Sequence, residues 1–202
     1  MFQQMTVKLE GVAPLVFHNG RLADPMDPFA KEIKRLVPKS KKSEEVAIAM
    51  GIVEWCGSLC HSDGEVLISD GVVAWDSGIH PVIPAAYIKG MIVGGSKRSK
   101  LGQKAKAGVI VEHDARLEYS GPKDMNVLMN TPAYRLRKTV RVRTDKVMRT
   151  RPIFRVWAAE IKFEVNPEAI NPDDVLNAIM VAGREIGIGD WKPEHGRFEV
   201  TL

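Results

Sequence analysis

The last third of the chain constrains the fold most. Across Ile153–Val165, the residues Trp157, Ala159, Ile161, Phe163 and Val165 fall at every second position, which is the spacing of side chains on one face of a strand. Asn171-Pro172-Asp173-Asp174 follows. An asparagine that can accept from unpaired amides, a proline with its φ already helical, and two acids at the positive end of the dipole together make a helix start. Val175, Ile179, Ala182 and Ile186 continue that helix along one side. Gly187-Ile188-Gly189 ends it, and Phe198, Val200 and Leu202 alternate as a closing strand.

Strand, helix, glycine-rich turn and strand make up half of a ferredoxin-like unit, which sets the class as α+β. The front of the chain supplies the rest. Val7, Leu9, Val12, Leu15 and Phe17 mark a first strand within residues 5–17, closed by a turn at His18-Asn19-Gly20-Arg21. Asp24-Pro25-Met26-Asp27-Pro28 leads into a short helix with Phe29, Ile33 and Leu36 on one face. Ser43 caps a second helix, with Glu44 and Glu45 in its first turn and Val46, Met50 and Val53 turned inward. Short strand-like pieces at Glu65–Ile68, Val72–Trp75 and Pro81–Ile83, punctuated by Gly64, Gly71 and Gly78, read as a hairpin or β-thumb. Pro84 opens a helix through Tyr87, Ile88, Met91 and Ile92; Gly108–Val111 reads as a strand and residues 120–132 as a loop. The expectation is one domain over residues 1–202, with 31–80 inserted as helices plus the β-thumb.

Charge points to a partner. The net charge is only +4, so its placement matters more than its size. Arg135, Arg137, Arg141 and Arg143 share one face of an extended Arg135–Arg143 segment, and Leu136, Val140 and Val142 share the other. A solvated edge strand is the plain alternative, but lysine is the commoner choice there, whereas the arginine fork suits phosphate. A second cluster, Lys97, Arg98, Lys100, Lys104 and Lys106, contains no acid and is flanked by Gly94, Gly95 and Gly102. It reads as a loop too cationic to pack. Lys31, Lys34, Arg35, Lys39, Lys41 and Lys42 form a third cluster. Three basic clusters on a chain this near neutrality place the acids elsewhere, the electrostatic footprint expected for a polyanion ligand. Trp75, on the hairpin, is the tryptophan expected to be exposed and able to stack on a base; of Trp55, Phe154, Trp157 and Trp191, most read as core.

Catalytic signatures are thin. No phosphate-loop lysine motif, GxSxG or HExxH occurs. Asp24, Asp27 and His18 are the candidates for a metal-dependent or acid–base nuclease, set against the plainer account that Asp-Pro pairs start turns. Cys56 and Cys60 are too few for a disulfide framework and, with His61 alone nearby, lack the ligands for zinc. No cofactor is expected. No stretch approaches the apolar length of a membrane span, and the N-terminal segment lacks the layout of a secretory leader, so a cytoplasmic protein is expected.

Pro81-Val82-Ile83-Pro84-Ala85-Ala86-Tyr87-Ile88-Lys89-Gly90-Met91-Ile92 resembles the strand-to-first-helix segment of the RAMP superfamily, the guide-RNA-binding subunits of CRISPR effector complexes. Gly187-Ile-Gly-Asp-Trp-Lys-Pro-Glu-His-Gly-Arg-Phe-Glu-Val resembles that superfamily's glycine-rich loop running into a strand. The resemblance as a whole covers about a third of the chain. The resemblance implies a modified ferredoxin-like, RRM-like core. It implies single-stranded RNA or DNA as partner, with Lys89 and the N-terminus of its helix beside the backbone. It also implies a homo-oligomer or filament along the strand, in a subunit-like or stand-alone phage or mobile-element protein. Ala85-Ala86 departs from the small polar or glycine residues usual at that point. Two other readings stay open: an RNA-processing nuclease on the same fold, and a non-enzymatic protein that mimics an effector subunit.

Overall fold

Val7 and Leu9 are buried while Thr6, Lys8 and Glu10 between and beside them are exposed, the alternation of a strand with one face on a core. The computed structural model describes residues 1–37, 43–142 and 144–201. In chain order the strands and helices are β1 (Gln3–Gly11), β2 (Leu15–Val16), α1 (Pro28–Leu36), α2 (Glu44–Ser58), β3 (Val66–Ser69), β4 (Val72–Trp75), β5 (Val82–Ile83), α3 (Ala85–Ser96), α4 (Gly102–Gly108), β6 (Val109–Ile110), β7 (Ala115–Arg116), β8 (Glu118–Tyr119), α5 (Met125–Leu128), β9 (Arg135–Val142), β10 (Asp145–Phe154), β11 (Trp157–Val165), α6 (Pro172–Glu185) and β12 (Phe198–Thr201). Helices and antiparallel sheets together make an α+β protein. Among the described residues no helix is long and apolar enough to cross a membrane.

The chain divides into two compact units. The first comprises Met1–Val16, Pro81–Ser120 and Phe154–Leu202; the second comprises Phe17–His80 and Gly121–Ile153. The segment expected as an insertion, 31–80, thus lies in a unit that starts at Phe17 and also takes in Gly121–Ile153.

Unit 1 is built on a sheet of order β12-β1-β11-β6, antiparallel throughout, with β8 also on β11. Trp157, Ala159, Ile161, Phe163 and Val165 are all buried, as their spacing predicts. The strand itself begins later than expected. Ile153 and Phe154 belong to β10, and exposed Arg155 and Val156 separate it from β11. The inward alternation restarts at Trp157, whose indole N–H donates to the Ala13 carbonyl at 2.9 Å. The Asn171 side chain accepts from the Asp173 amide to open α6, and Val175, Ile179 and Ala182 face inward. α3 packs on α6 so closely that a Cβ at Gly95 would collide with the Ala178 carbonyl oxygen.

Unit 2 holds α1, α2, the β3–β4 hairpin, α5 and the β9–β10 hairpin. The Asp27 carboxylate caps α1 through the amides of Phe29 and Ala30, and Ser43 Oγ accepts from the Val46 amide to cap α2. Residues 120–132, read as a loop, contain α5, which Asp124 caps and which buries Met125 and Leu128. Asp70 and Gly71, both at positive φ, turn β3 into β4 with the twist a two-residue hairpin needs. The expected exposure of Trp75 does not hold. It is 5% exposed, because Val73 and Trp75 take the inward positions of β4, and His61 meets its ring edge-on at 4.9 Å. Cys56 and Cys60 are free and buried, and burial pushes the Cys56 thiol up to about 12.

Candidate nucleic-acid interface

β9 and β10 pair in register from Arg135↔Pro152 to Val142↔Asp145. Opposed residues share a face, so Arg141 stands across from Lys146, and Arg137 across from Thr150. Lys138 and Arg149 oppose each other on the other face, so both faces carry cations. Arg137, Lys138, Arg141 and Lys146 are exposed. Arg135 is different. Its guanidinium is half-buried and donates to the Met129 carbonyl at 2.7 Å and to Asn130 Oδ1 at 3.2 Å, and burial lowers its pKa. Arg143 lies outside the described residues.

A buried carboxylate of α2 sits against this hairpin. Glu54 of α2 has a side chain 10% exposed. It accepts from Arg149 Nη1 at 3.0 Å and from the Thr150 amide at 2.8 Å, and Arg151 Nη1 lies 3.5 Å away. Arg151 is buried and also donates to Ser58 Oγ at 3.0 Å. Glu54 thus balances the inward cations of β10. Arg137 and Lys146 meet no carboxylate among the described residues. They reach a cleft of about 280 Å³ whose opposite wall is α2, from Ala47 through Met50 to Glu54. Sequence reasoning singled out the β9 arginines and missed Lys146, Arg149, Arg151 and Glu54. The alternation of Lys146, Met148 and Thr150 beyond Asp145 is the signal that a second strand follows; nothing local ties Glu54 to it.

The second basic cluster is not a loop. Lys97–Ser99 form a 3-10 turn, Lys100 takes φ 61°, and α4 follows with Ala105 buried. Lys97, Arg98, Lys100, Lys104 and Lys106 are exposed, and Arg98 pairs with Glu185 at 3.0 Å. Lys89 Nζ donates to the carbonyls of Ala105 and Lys106, at 3.0 and 2.9 Å, and to that of Val109. The first two are carbonyls of the last turn of α4 and Val109 opens β6, so the ammonium closes the helix where it runs into the strand, and desolvation lowers its pKa. The N-terminus of α3 is also occupied: the Ala85 amide donates to Asp114 Oδ1 at 2.8 Å.

Asp24 and Asp27 both accept from backbone amides two residues on, as turn and cap residues do; His18 lies at the start of unit 2. Among the described residues no group of three or more His, Cys, Asp and Glu side chains could hold a metal ion.

No known protein family profile matches the sequence, and no curated protein matches it. Among solved structures, the crystal structure of Cmr6 from Pyrococcus furiosus aligns over 100% of this chain and 99% of its own, at 11% identity and a TM-score of 0.43.

Proposed function

We propose that this chain binds single-stranded RNA or DNA through the phosphate backbone, with the β9–β10 hairpin as the principal contact. The observation that carries this reading is the set of exposed cations on that hairpin, Arg137, Lys138, Arg141 and Lys146, beside the buried Glu54 carboxylate, whose charge Arg149 and Arg151 already meet. Exposed Lys97, Lys100, Lys104 and Lys106 would extend the contact. The core is read as ferredoxin-like and the chain as RAMP-like. Two features support that reading: the all-antiparallel order β12-β1-β11-β6, which places the first and third core strands centrally, and the two sequence motifs at Pro81–Ile92 and Gly187–Val200. Assembly of several copies along one strand belongs to the same proposal.

The test is anisotropy of labelled single-stranded oligonucleotides titrated with protein over a salt series. Engagement of about five phosphates gives a log–log slope of roughly −3.5 and weak sequence preference. Absence of binding to ribo- and deoxyribo-oligonucleotides at low salt overturns the reading.

A further inference from the structure

The cleft between α2 and β10 has two chemically unlike walls. Ala47 and Met50 of α2, with Ile33 of α1, form an apolar side, and Met148, 45% exposed, stands at the opposite edge. The cations lie at the two ends. Thr150, which faces Arg137, is four residues from Lys146 on one strand, roughly 13 Å along it. Arg137 and Lys146 are therefore placed to hold different phosphates, with apolar surface between them. Glu54 at the base of the cleft has its charge met by Arg149 and Arg151, so it does not present a bare anion to an incoming strand. At about 280 Å³ the space lies just under the roughly 300–1,000 Å³ of small-molecule pockets, room for one planar group.

An inorganic anion would use the cations and leave the apolar wall against water. A nucleotide within a strand satisfies both. We infer that this cleft seats one base of the bound strand, packed between Met50 and Met148, with its flanking phosphates on Arg137 and Lys146. The inference rests on the strand-binding reading and adds to it a subsite for a base.

The experiment compares a homopolymeric oligocytidylate with its abasic counterpart, which keeps every phosphate and lacks every base, in ribo and deoxyribo forms. A seated base makes the intact strand bind about five- to tenfold more tightly than the abasic one. Ala47→Trp, which fills the cleft from α2 and leaves every cation in place, should abolish that ratio while still binding the abasic strand. Equal affinity of wild-type protein for the two strands overturns the base subsite and leaves backbone binding standing. Failure of both strands to bind overturns the backbone reading itself. The wild-type comparison decides the matter even if Ala47→Trp does not fold.

Discussion

Glu54 receives three donors from β10 with its side chain 10% exposed, and one of them, Arg151, is equally shielded at 8%. Removing one partner of such a pair strands the other charge in a poorly solvated place. Glu54→Ala should therefore destabilise unit 2 by about 3–5 kcal/mol in urea denaturation; a loss below about 1 kcal/mol would show that the arginines find water instead. His61 is a second sensitive residue. Arg21 Nη1 lies 3.1 Å from its Nε2, and a guanidinium can only donate, so Nε2 must accept and the ring is neutral, with Nδ1–H given to the Ser62 carbonyl at 2.7 Å. Desolvation lowers its pKa below 6.5, helped by the Arg21 charge and opposed by the Ser62 carbonyl and by Asp63. A base with a depressed folded pKa contributes stability that is present above the unfolded value and lost as pH falls. The melting temperature should hold near neutrality and decline as pH drops below 6.5, and His61→Gln should flatten that decline. An unchanged slope in the variant would assign the decline to other groups. Local chemistry was legible at this scale: Ser43 and Asn171 cap the helices their types predict. Glu54 was not, because its partners are ninety-five or more residues away.

Among the elements, α4 shows how a helix can escape notice. Gly102 opens it and no side chain caps its start, so its sequence lacks the usual start signal and carries only a stop, Lys106 and Gly108. What holds it is tertiary: buried Ala105, and Lys89 reaching over from α3 to its last carbonyls. If Lys89 is an anchor rather than a phosphate contact, Lys89→Met should lower stability by about 1.5–3 kcal/mol, the usual worth of hydrogen bonds to a charged group. The salt slope of oligonucleotide binding should stay unchanged. A slope shallower by about 0.7 with stability intact would instead put its ammonium on the backbone. The break between β10 and β11 escaped for a related reason. Ile153, Phe154 and Trp157 are all apolar, and periodicity does not register that Arg155 and Val156 between them turn outward.

For the molecule as a whole, the sheet of unit 1 was legible because β1, β11, α6 and β12 alternate or repeat cleanly in sequence. The division into two units was not, because unit 2 joins segments forty residues apart. A net charge of +4 leaves two ways to attract a polyanion: a diffuse field of the entire chain, or a local surface. The outward face of the β1–β11 pair offers the control. Its cations are matched: Lys8 lies 3.7 Å from Glu10, and Lys162 lies 3.3 Å from Glu160. Replacing Lys8 and Lys162 by Gln removes as much formal charge as replacing Arg137 and Lys146 by Gln. If the whole-chain field dominated, both pairs would weaken binding alike. If the hairpin is the contact, only the Arg137/Lys146 pair should do so, with the log–log slope shallower by about 1.4. Equal losses from the two pairs, read by anisotropy at matched salt, would argue against a localised interface on β9 and β10.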